Sequence, residues 1–201
     1  TPDGRLAPVR GNPLWSPSWG AIFQQLGAAP EVVRCQNVAA VQFFLKPNLR
    51  FARWMGFDTE RALALLYDRC VHMGNGGGTS WVASTAFPLA AAERAAALKA
   101  LGHDSVEAFQ RSRAPRLTVD GRWGPRSHAA LLDEARRRPS AGVKVPDLAT
   151  MFGRLRDDAA ARAMAEGERA ASWANISRRV GTILDDARHL ADTRFEVPDG
   201  P

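Results

Sequence analysis

Apolar side chains along this chain recur at the spacing of helix faces. The clearest pattern follows Asp58, a good N-cap residue, and ends at Gly74, with Glu60 in the first turn where a carboxylate complements the helix dipole. Its apolar face consists of Leu63, Leu66, Tyr67, Cys70 and Met73. These features predict one amphipathic helix that a glycine terminates.

Helical patterns also precede and follow this segment. They predict helices over residues 18–26, 30–46, 49–55, 147–171 and 174–191. No stretch alternates convincingly between apolar and polar residues, apart from a short pair of strands suggested near residues 117–119. The predicted fold class is therefore all-α.

A glycine-rich stretch, residues 74–80, follows the clearest helix and is predicted to be a loop. A phosphate-binding loop is a poor match, because the P-loop lysine is missing and no strand precedes the glycines. A loop that borders a sugar cleft fits better. Asn75 and Thr79 would offer hydrogen bonds there, and Trp81 a stacking face for a pyranose ring.

A second motif lies at residues 117–131, where the turn dipeptides Asp120-Gly121 and Gly124-Pro125 flank Trp123 and an alanine- and leucine-rich helix follows. This order resembles the signature of the peptidoglycan-binding domain found in many bacterial wall hydrolases. The matching residues upstream are Leu98, Gly102, Val106, Phe109 and Gln110. The resemblance covers residues 88–138 and implies a cell-wall ligand.

The resemblance also suggests which residues of that module would contact the ligand. They are Asp120, Arg122, Trp123 and Arg126. A purely structural role stays open, because an Asp before a Gly readily bonds its own backbone, and because Arg126 and Ser127-His128 depart from the residues common in the family.

The helix around Tyr67-Asp68 carries a further resemblance. With Val71, His72 and Gly74 it is similar to a helix of chitosanases and lysozyme-like muramidases, where the glycine opens the substrate-side segment. Together the two resemblances imply a lysozyme-like helical domain with an inserted peptidoglycan-binding-like module. The predicted parts are an extended lead-in at 1–17, a hydrolase domain from 18–87 and 147–195, the module at 88–138 and a linker at 139–146.

The implied activity is glycan-strand hydrolysis, as in a phage lysin or a secreted antibacterial effector. Such chemistry needs a carboxylic acid, usually with a second carboxylate. Glu31 is the candidate general acid because it is the one carboxylate between Asp3 and Asp58, although it also suits the first turn of a helix. Asp58 and Glu60 are candidates for the second carboxylate, with helix capping or a first-turn position as the alternative. Asp68 is a further catalytic candidate, with a structural contact as its alternative.

Other side chains are candidates for binding rather than for proton transfer. His72 lies four residues after Asp68, so the two can form a pair that either orients a catalytic group or holds the helix in place. Trp54 can stack on a sugar ring or pack in the core. The alternatives to a hydrolase are a non-catalytic peptidoglycan-binding module and, with less support, a basic nucleic-acid binder that lacks a base-reading motif.

Composition indicates a folded protein with a basic surface. The 201 residues are 45% hydrophobic, enough for a core, and carry 27 Lys and Arg against 21 Asp and Glu, for a formal net charge of +6. A basic surface attracts polyanions such as peptidoglycan, although arginines can also be a solvated surface with no ligand.

The cysteines and histidines do not indicate a metal or cofactor site. The four histidines are scattered and no Cys/His pair has ligand spacing, so we expect neither. Cys35 and Cys70 can form a disulfide in an exported protein or remain free thiols. No apolar run is long enough for a membrane span. We expect a secreted or periplasmic monomer that binds peptidoglycan or a related amino-sugar polymer.

Overall fold

The computed structural model describes residues 17–165, 170–186, 190–194 and 196–197, so almost all of the predicted lead-in lies outside the described residues. The helices are α1 (Pro17–Ala28), α2 (Pro30–Ala40), α3 (Leu49–Met55), α4 (Glu60–Ala86), α5 (Ala91–Ala100), α6 (Val106–Ser112), α7 (Pro125–Arg137), α8 (Leu148–Met164) and α9 (Ala170–Asp185). Short π and 3-10 turns occupy Val41–Leu45, Lys46–Asn48 and Pro139–Ala141. The described residues contain no strand, which confirms the all-α class and makes the strand pair near 117–119 wrong.

The chain divides into two compact units, and the first ends at Phe43. In this unit Pro30 stands at the start of α2, as predicted, and Glu31 lies in the first turn. None of the described side chains from residue 19 to residue 43 is buried. The first unit is therefore a pair of short helices without a core of its own among these residues.

The second unit begins at Phe44 and is built around α4. Helices α3, α7, α8 and α9 all pack against it. The largest apolar side chains of the core include Phe51, Phe57, Leu66, Phe109, Leu131 and Leu155. They come both from the predicted module and from the helices on either side of it, and they form one hydrophobic cluster.

Helix α4 begins one residue later than predicted. The hydroxyl of Thr59 accepts a hydrogen bond from the backbone N–H of Ala62 at 3.2 Å, so Thr59 is the N-cap and the prediction of Asp58 is wrong. The backbone of Thr59 is extended, as an N-cap requires, while a carboxylate oxygen of Asp58 lies 3.4 Å from Arg194. Two adjacent residues of capping type made this boundary ambiguous.

The predicted glycine loop at 74–80 is wrong, because α4 continues to Ala86 with a kink at Gly74. Gly74 has φ 71°, a left-handed conformation that glycine adopts without strain. After the kink, Gly78 packs on the first half of the helix: a Cβ there would come within 2.8 Å of the backbone of Arg69 and Cys70. The glycines therefore permit a bend and a close approach of two helical segments.

Arginine side chains close the carboxyl ends of four helices. Each donates hydrogen bonds to backbone carbonyls that have no partner inside their own helix. The pairs are Arg136 with Trp54 and Met55, Arg61 with Ile183 and Leu184, Arg138 with Leu101, and Arg154 with Ala86. Part of the basic excess thus belongs to the fold, so a cation count alone overstates the charge offered to a ligand.

Helices α8 and α9 end earlier than predicted, at Met164 and Asp185 instead of residues 171 and 191. Residues 190–194 are not helical, and the backbone carbonyl of Leu190 accepts a hydrogen bond from Arg61. Cys35 and Cys70 are both free thiols. Within the described ranges, no helix combines the length and the apolar character that crossing a membrane requires.

Candidate functional site

The turn at Asp120-Gly121 is held by Gln110, which lies on α6 and is 2% exposed. The Gln110 Oε1 atom accepts hydrogen bonds from the backbone N–H of Asp120 at 3.1 Å and of Gly121 at 2.8 Å. Its Nε2 atom donates to the Asp120 carboxylate at 2.9 Å and to the carbonyl of Arg122 at 2.8 Å. The Gln110 side chain therefore supplies the hydrogen bonds that a neighbouring β-strand would have supplied if the predicted pair of strands near 117–119 had formed.

Asp120 completes this turn and remains ionised. Its Oδ1 atom accepts a hydrogen bond from the backbone N–H of Arg122 at 2.9 Å, and Gly121 has φ 68°. The hydrogen bonds from the Arg122 backbone and from Gln110 lower the pKa of Asp120. Asp120 is thus a fixed negative charge and a poor proton donor at neutral pH.

Trp123 lies half-buried at the edge of the module. Its ring lies 6.4 Å from that of Phe109, and the Arg94 guanidinium is 5.1 Å from its centroid. The indole N–H donates to Nδ1 of His128 at 3.4 Å. Packing of this side chain supports the helices beneath the turn.

A groove of about 350 Å³ lies in front of this turn. One wall of the groove is formed by α4 just after the kink. The other wall is formed by the Asp120-Gly121 turn and the start of α7. The side chains predicted for binding that line it are Asn75, Thr79, Asp120, Arg122 and Arg126. Residues of the glycine-rich segment and of the peptidoglycan-binding-like signature therefore meet at one surface.

The groove contains polar side chains whose positions are fixed. Asn48 is buried and donates through Nδ2 to Oδ1 of Asn75 at 2.7 Å and to the carbonyl of Phe44 at 2.8 Å. The Thr79 hydroxyl donates to the carbonyl of Asn75 at 2.7 Å, so its oxygen is left as an acceptor. Arg122 and Arg126 are exposed and supply positive charge. Such a site can bind a polar ligand that carries hydroxyl, amide and carboxylate groups.

Asp68 does not line the groove. It is buried, paired with Arg69 on its own helix and with Arg179 on α9, whose Nε lies 2.8 Å from Oδ1. Burial alone would raise the pKa of Asp68, but the hydrogen bonds from Arg179 and Arg69 outweigh it and hold this pKa below its ordinary value. The structure gives this carboxylate a clear role in joining α4 to α9.

His72 bonds chiefly to the backbone of Asp68. Its Nδ1 lies 2.8 Å from the Asp68 carbonyl oxygen and 3.5 Å from the Asp68 carboxylate. The predicted pair of the His72 and Asp68 side chains is therefore present only as the longer, 3.5 Å contact. His72 is not among the residues that line the groove.

The two tryptophans predicted to stack on sugar rings lie in the core instead of the groove. Trp54 is 3% exposed, and Trp81 is 5% exposed with its indole N–H donating to Asp158 at 2.6 Å. The Trp81 ring also packs on Trp173, at 5.8 Å between centroids. Both side chains connect α3 or α4 to neighbouring helices.

The other predicted carboxylates lie in different parts of the chain. Glu31 is exposed in the first turn of α2, in the first unit. Asp58 is half-buried immediately before α4. Within the described residues, no group of three or more His, Cys, Asp or Glu side chains could hold a metal ion.

Sequence reasoning missed Asn48 and did not recognise the role of Gln110. Nothing in the local pattern marks Asn48, because its partners lie up to 27 residues away along the chain. Gln110 carried a signal, since it belongs to the Phe-Gln pair of the peptidoglycan-binding resemblance. Comparisons of the chain with protein-family models, curated proteins and solved structures find no match.

Proposed function

We propose that this chain acts on bacterial peptidoglycan as a glycan-strand hydrolase of lysozyme-like type, and that the groove binds the polymer. One observation carries the proposal: Asn75 and Thr79, from the glycine-rich segment that follows the hydrolase-like part of α4, line the same groove as Asp120, Arg122 and Arg126, from the peptidoglycan-binding-like signature. Each of these two segments is predicted to contact an amino-sugar polymer, and their residues line one surface.

The chemistry of the groove suits such a polymer. Peptidoglycan offers sugar hydroxyls, N-acetyl amides and stem-peptide carboxylates. Asn75 and Thr79 complement the first two as hydrogen-bonding groups, and Arg122 and Arg126 complement the carboxylates. Because Gln110 holds the turn and Asn48 holds Asn75, these two parts of the groove lose little conformational entropy when a ligand binds.

For the hydrolytic step, Glu31 stays the candidate general acid. Protonation of the leaving glycosidic oxygen needs a carboxylic acid that solvent and substrate can reach, and the Glu31 side chain is exposed. Asp68 serves in this proposal as a structural carboxylate, because two arginines occupy its oxygens. An enzyme of this class works outside the cytoplasmic membrane, in a secreted or periplasmic setting.

A second candidate is binding without cleavage. Among the described residues that line the groove, Asp120 is the one carboxylate, and its lowered pKa makes it unsuitable as a general acid. A groove of this kind can anchor a protein to the wall and leave the chemistry elsewhere. This candidate predicts the same ligand and no released fragments.

Mass spectrometry of material released from purified peptidoglycan tests both candidates. The hydrolase predicts soluble fragments with new reducing ends, and their loss in Glu31→Gln while the circular dichroism spectrum stays unchanged. Fragments from both proteins would reject Glu31 as the acid but retain the activity. If the wild-type protein releases no fragments yet sediments with the wall, the binding module is correct.

A further inference from the structure

A second trough, separate from the groove, lies between α5 and the segment 141–146. It has a volume of about 560 Å³, within the range of roughly 300 to 1,000 Å³ that ligand pockets occupy. Nothing in the proposed function uses it. Its lining is a mixture of small apolar side chains and a few charged ones.

The segment that forms one wall has an unpaired backbone. Residues 143–147 belong to no helix, and Val143 and Val145 are half-buried with Lys144 exposed between them. Within the part of the chain that the structure describes, no hydrogen bond involves the backbone N–H or C=O of Val143, Lys144 or Val145. A segment outside helices, with free N–H and C=O groups, can pair with an extended peptide.

The opposite wall consists of small side chains that let a peptide backbone approach α5. Ala96, Ala97 and Ala100 project from α5 into the trough, and Leu89 borders one end. Methyl groups leave room for a backbone to lie close to the helix. For a peptide whose backbone lies this close, large side chains directed at α5 would clash with its surface, whereas alanine or glycine residues fit.

The charges at the trough favour an anionic ligand. Lys144 and Arg154 line it together with one carboxylate, Glu93. Glu93 already accepts a hydrogen bond from the backbone N–H of Ala90 at 2.8 Å, while Lys144 is exposed. Arg154 donates one hydrogen bond, to the carbonyl of Ala86 at 3.0 Å, and a guanidinium has further N–H donors.

We propose that this trough binds an extended peptide with small apolar side chains and a free carboxylate. The peptide backbone pairs with residues 143–145, its side chains lie against the alanines of α5, and its carboxylate meets Lys144 and Arg154. The stem peptides of peptidoglycan have this chemistry. The inference stands apart from the groove, so either site can fail alone.

Titration of isotope-labelled full chain with trialanine, followed by NMR amide shifts, tests this site. Shifts should concentrate at residues 96–100 and 143–150. Three altered probes separate the contributions: trialanine amide removes the carboxylate, an N-methylated trialanine removes the backbone donors, and trileucine enlarges the side chains. Each should bind at least about threefold more weakly, which corresponds to the loss of one modest contact.

Matched variants locate the binding. Ala100→Trp fills the trough and should abolish trialanine binding, whereas Ala92→Trp, on an exposed position of the same helix outside the trough, should not. Ala96→Phe is a second substitution that fills the trough, for use if Ala100→Trp disturbs the helix. Lys144→Gln should weaken trialanine and leave the amide unaffected, with Lys99→Gln as its control.

Several results would overturn the proposed trough site. Equal binding of trialanine and trileucine, shifts located away from the trough, or undisturbed binding in both plugged variants would overturn the proposal. No measurable binding of trialanine by the folded wild-type protein would do so as well. Undiminished wall sedimentation of Arg126→Glu, with trialanine binding retained, would reject the groove proposal alone.

Discussion

The side-chain oxygen of Gln110 accepts a hydrogen bond from the backbone N–H of Gly121 at 2.8 Å. This contact joins α6 to the turn that borders the groove, across 11 positions of sequence. Gln110 also holds Asp120 and Arg122, so the shape of one groove wall depends on a buried amide that does not itself need to touch ligand. The conformation of the Asp120-Gly121 turn therefore depends on α6 as much as on the residues of the turn itself.

Replacement of Gln110 by leucine should lower the free energy of unfolding by about 2 to 3 kcal/mol, because several hydrogen bonds of about 1 kcal/mol each are lost. Urea unfolding followed by circular dichroism measures the change. Gln24→Leu, on an exposed position of α1, is the control and should have little effect. Equal stability of the Gln110 variant and the wild type would show that the turn is held by other contacts.

Two glycines of α4 should respond to alanine in opposite directions. Gly78→Ala should destabilise by about 1 to 3 kcal/mol, because the new Cβ meets the backbone of Arg69 and Cys70. Gly76→Ala has open space and should stabilise by about 0.5 to 1 kcal/mol through helix propensity. Thermal unfolding compares the two. A flexible loop at 74–80 would instead make both substitutions nearly neutral.

These glycines also show where sequence reasoning stopped. The helix from Leu63 to Met73 could be predicted because its apolar spacing is local. Its continuation past Gly74 could not, since four glycines favour a loop, and the close approach that requires the small size of Gly78, to the backbone of Arg69, exists only in the folded chain. Tertiary packing overrides local propensity at such positions.

The candidate site was predictable in the same uneven way. Motif resemblance selected Asp120, Arg122 and Arg126, and the glycine-rich segment selected Asn75 and Thr79; all five line the groove. Resemblance and residue type could not separate them from Trp54 and Trp81, whose burial depends on contacts with other helices. Asn48 carries no local signal at all, because its place at the groove results from the folding of α4 onto the preceding turn.

Arg61 should contribute more to stability than a surface arginine. It donates to the carbonyls of Ile183 and Leu184 at the end of α9 and pairs with Asp192 at 2.7 Å, while its side chain is largely buried. Arg61→Met should cost about 2 to 4 kcal/mol, since buried carbonyls lose a charged donor. Thermal unfolding measures this cost.

The matched control for Arg61 is Arg111→Met. Arg111 forms an exposed pair with Glu107 on the same helix, at 2.6 Å, and should contribute less than about 0.5 kcal/mol. If the two substitutions had similar effects, the arginine contacts at helix ends would be no more than surface contacts.

Acid should weaken the contact between α4 and α9 through Asp68. The pKa of Asp68 in the folded protein lies below its ordinary value of 3.8, because Arg179 and Arg69 outweigh the effect of burial. Its contribution is therefore fully present above about pH 4 and is lost as the pH falls through the lower folded-state pKa. We expect wild-type stability to fall steeply in that window.

Asp68→Asn separates this contribution from that of other carboxylates. The variant should lose about 3 kcal/mol at pH 7, where Arg69 becomes a buried charge without its partner. It should then lose less than the wild type on acidification, although Glu134 keeps some pH dependence because its pKa is also lowered. Parallel stability curves from pH 7 to pH 2 would contradict the assignment.

Co-sedimentation with insoluble peptidoglycan tests most directly whether the groove binds the wall. Arg126→Glu is compared with Lys99→Glu, an exposed lysine outside the groove; each replaces one positive charge with one negative charge and lowers the net charge from +6 to +4. We predict that wild type and Lys99→Glu bind alike, and that Arg126→Glu binds about tenfold more weakly or worse. Equal weakening by both variants, or wild-type protein that stays in the supernatant, would contradict the account.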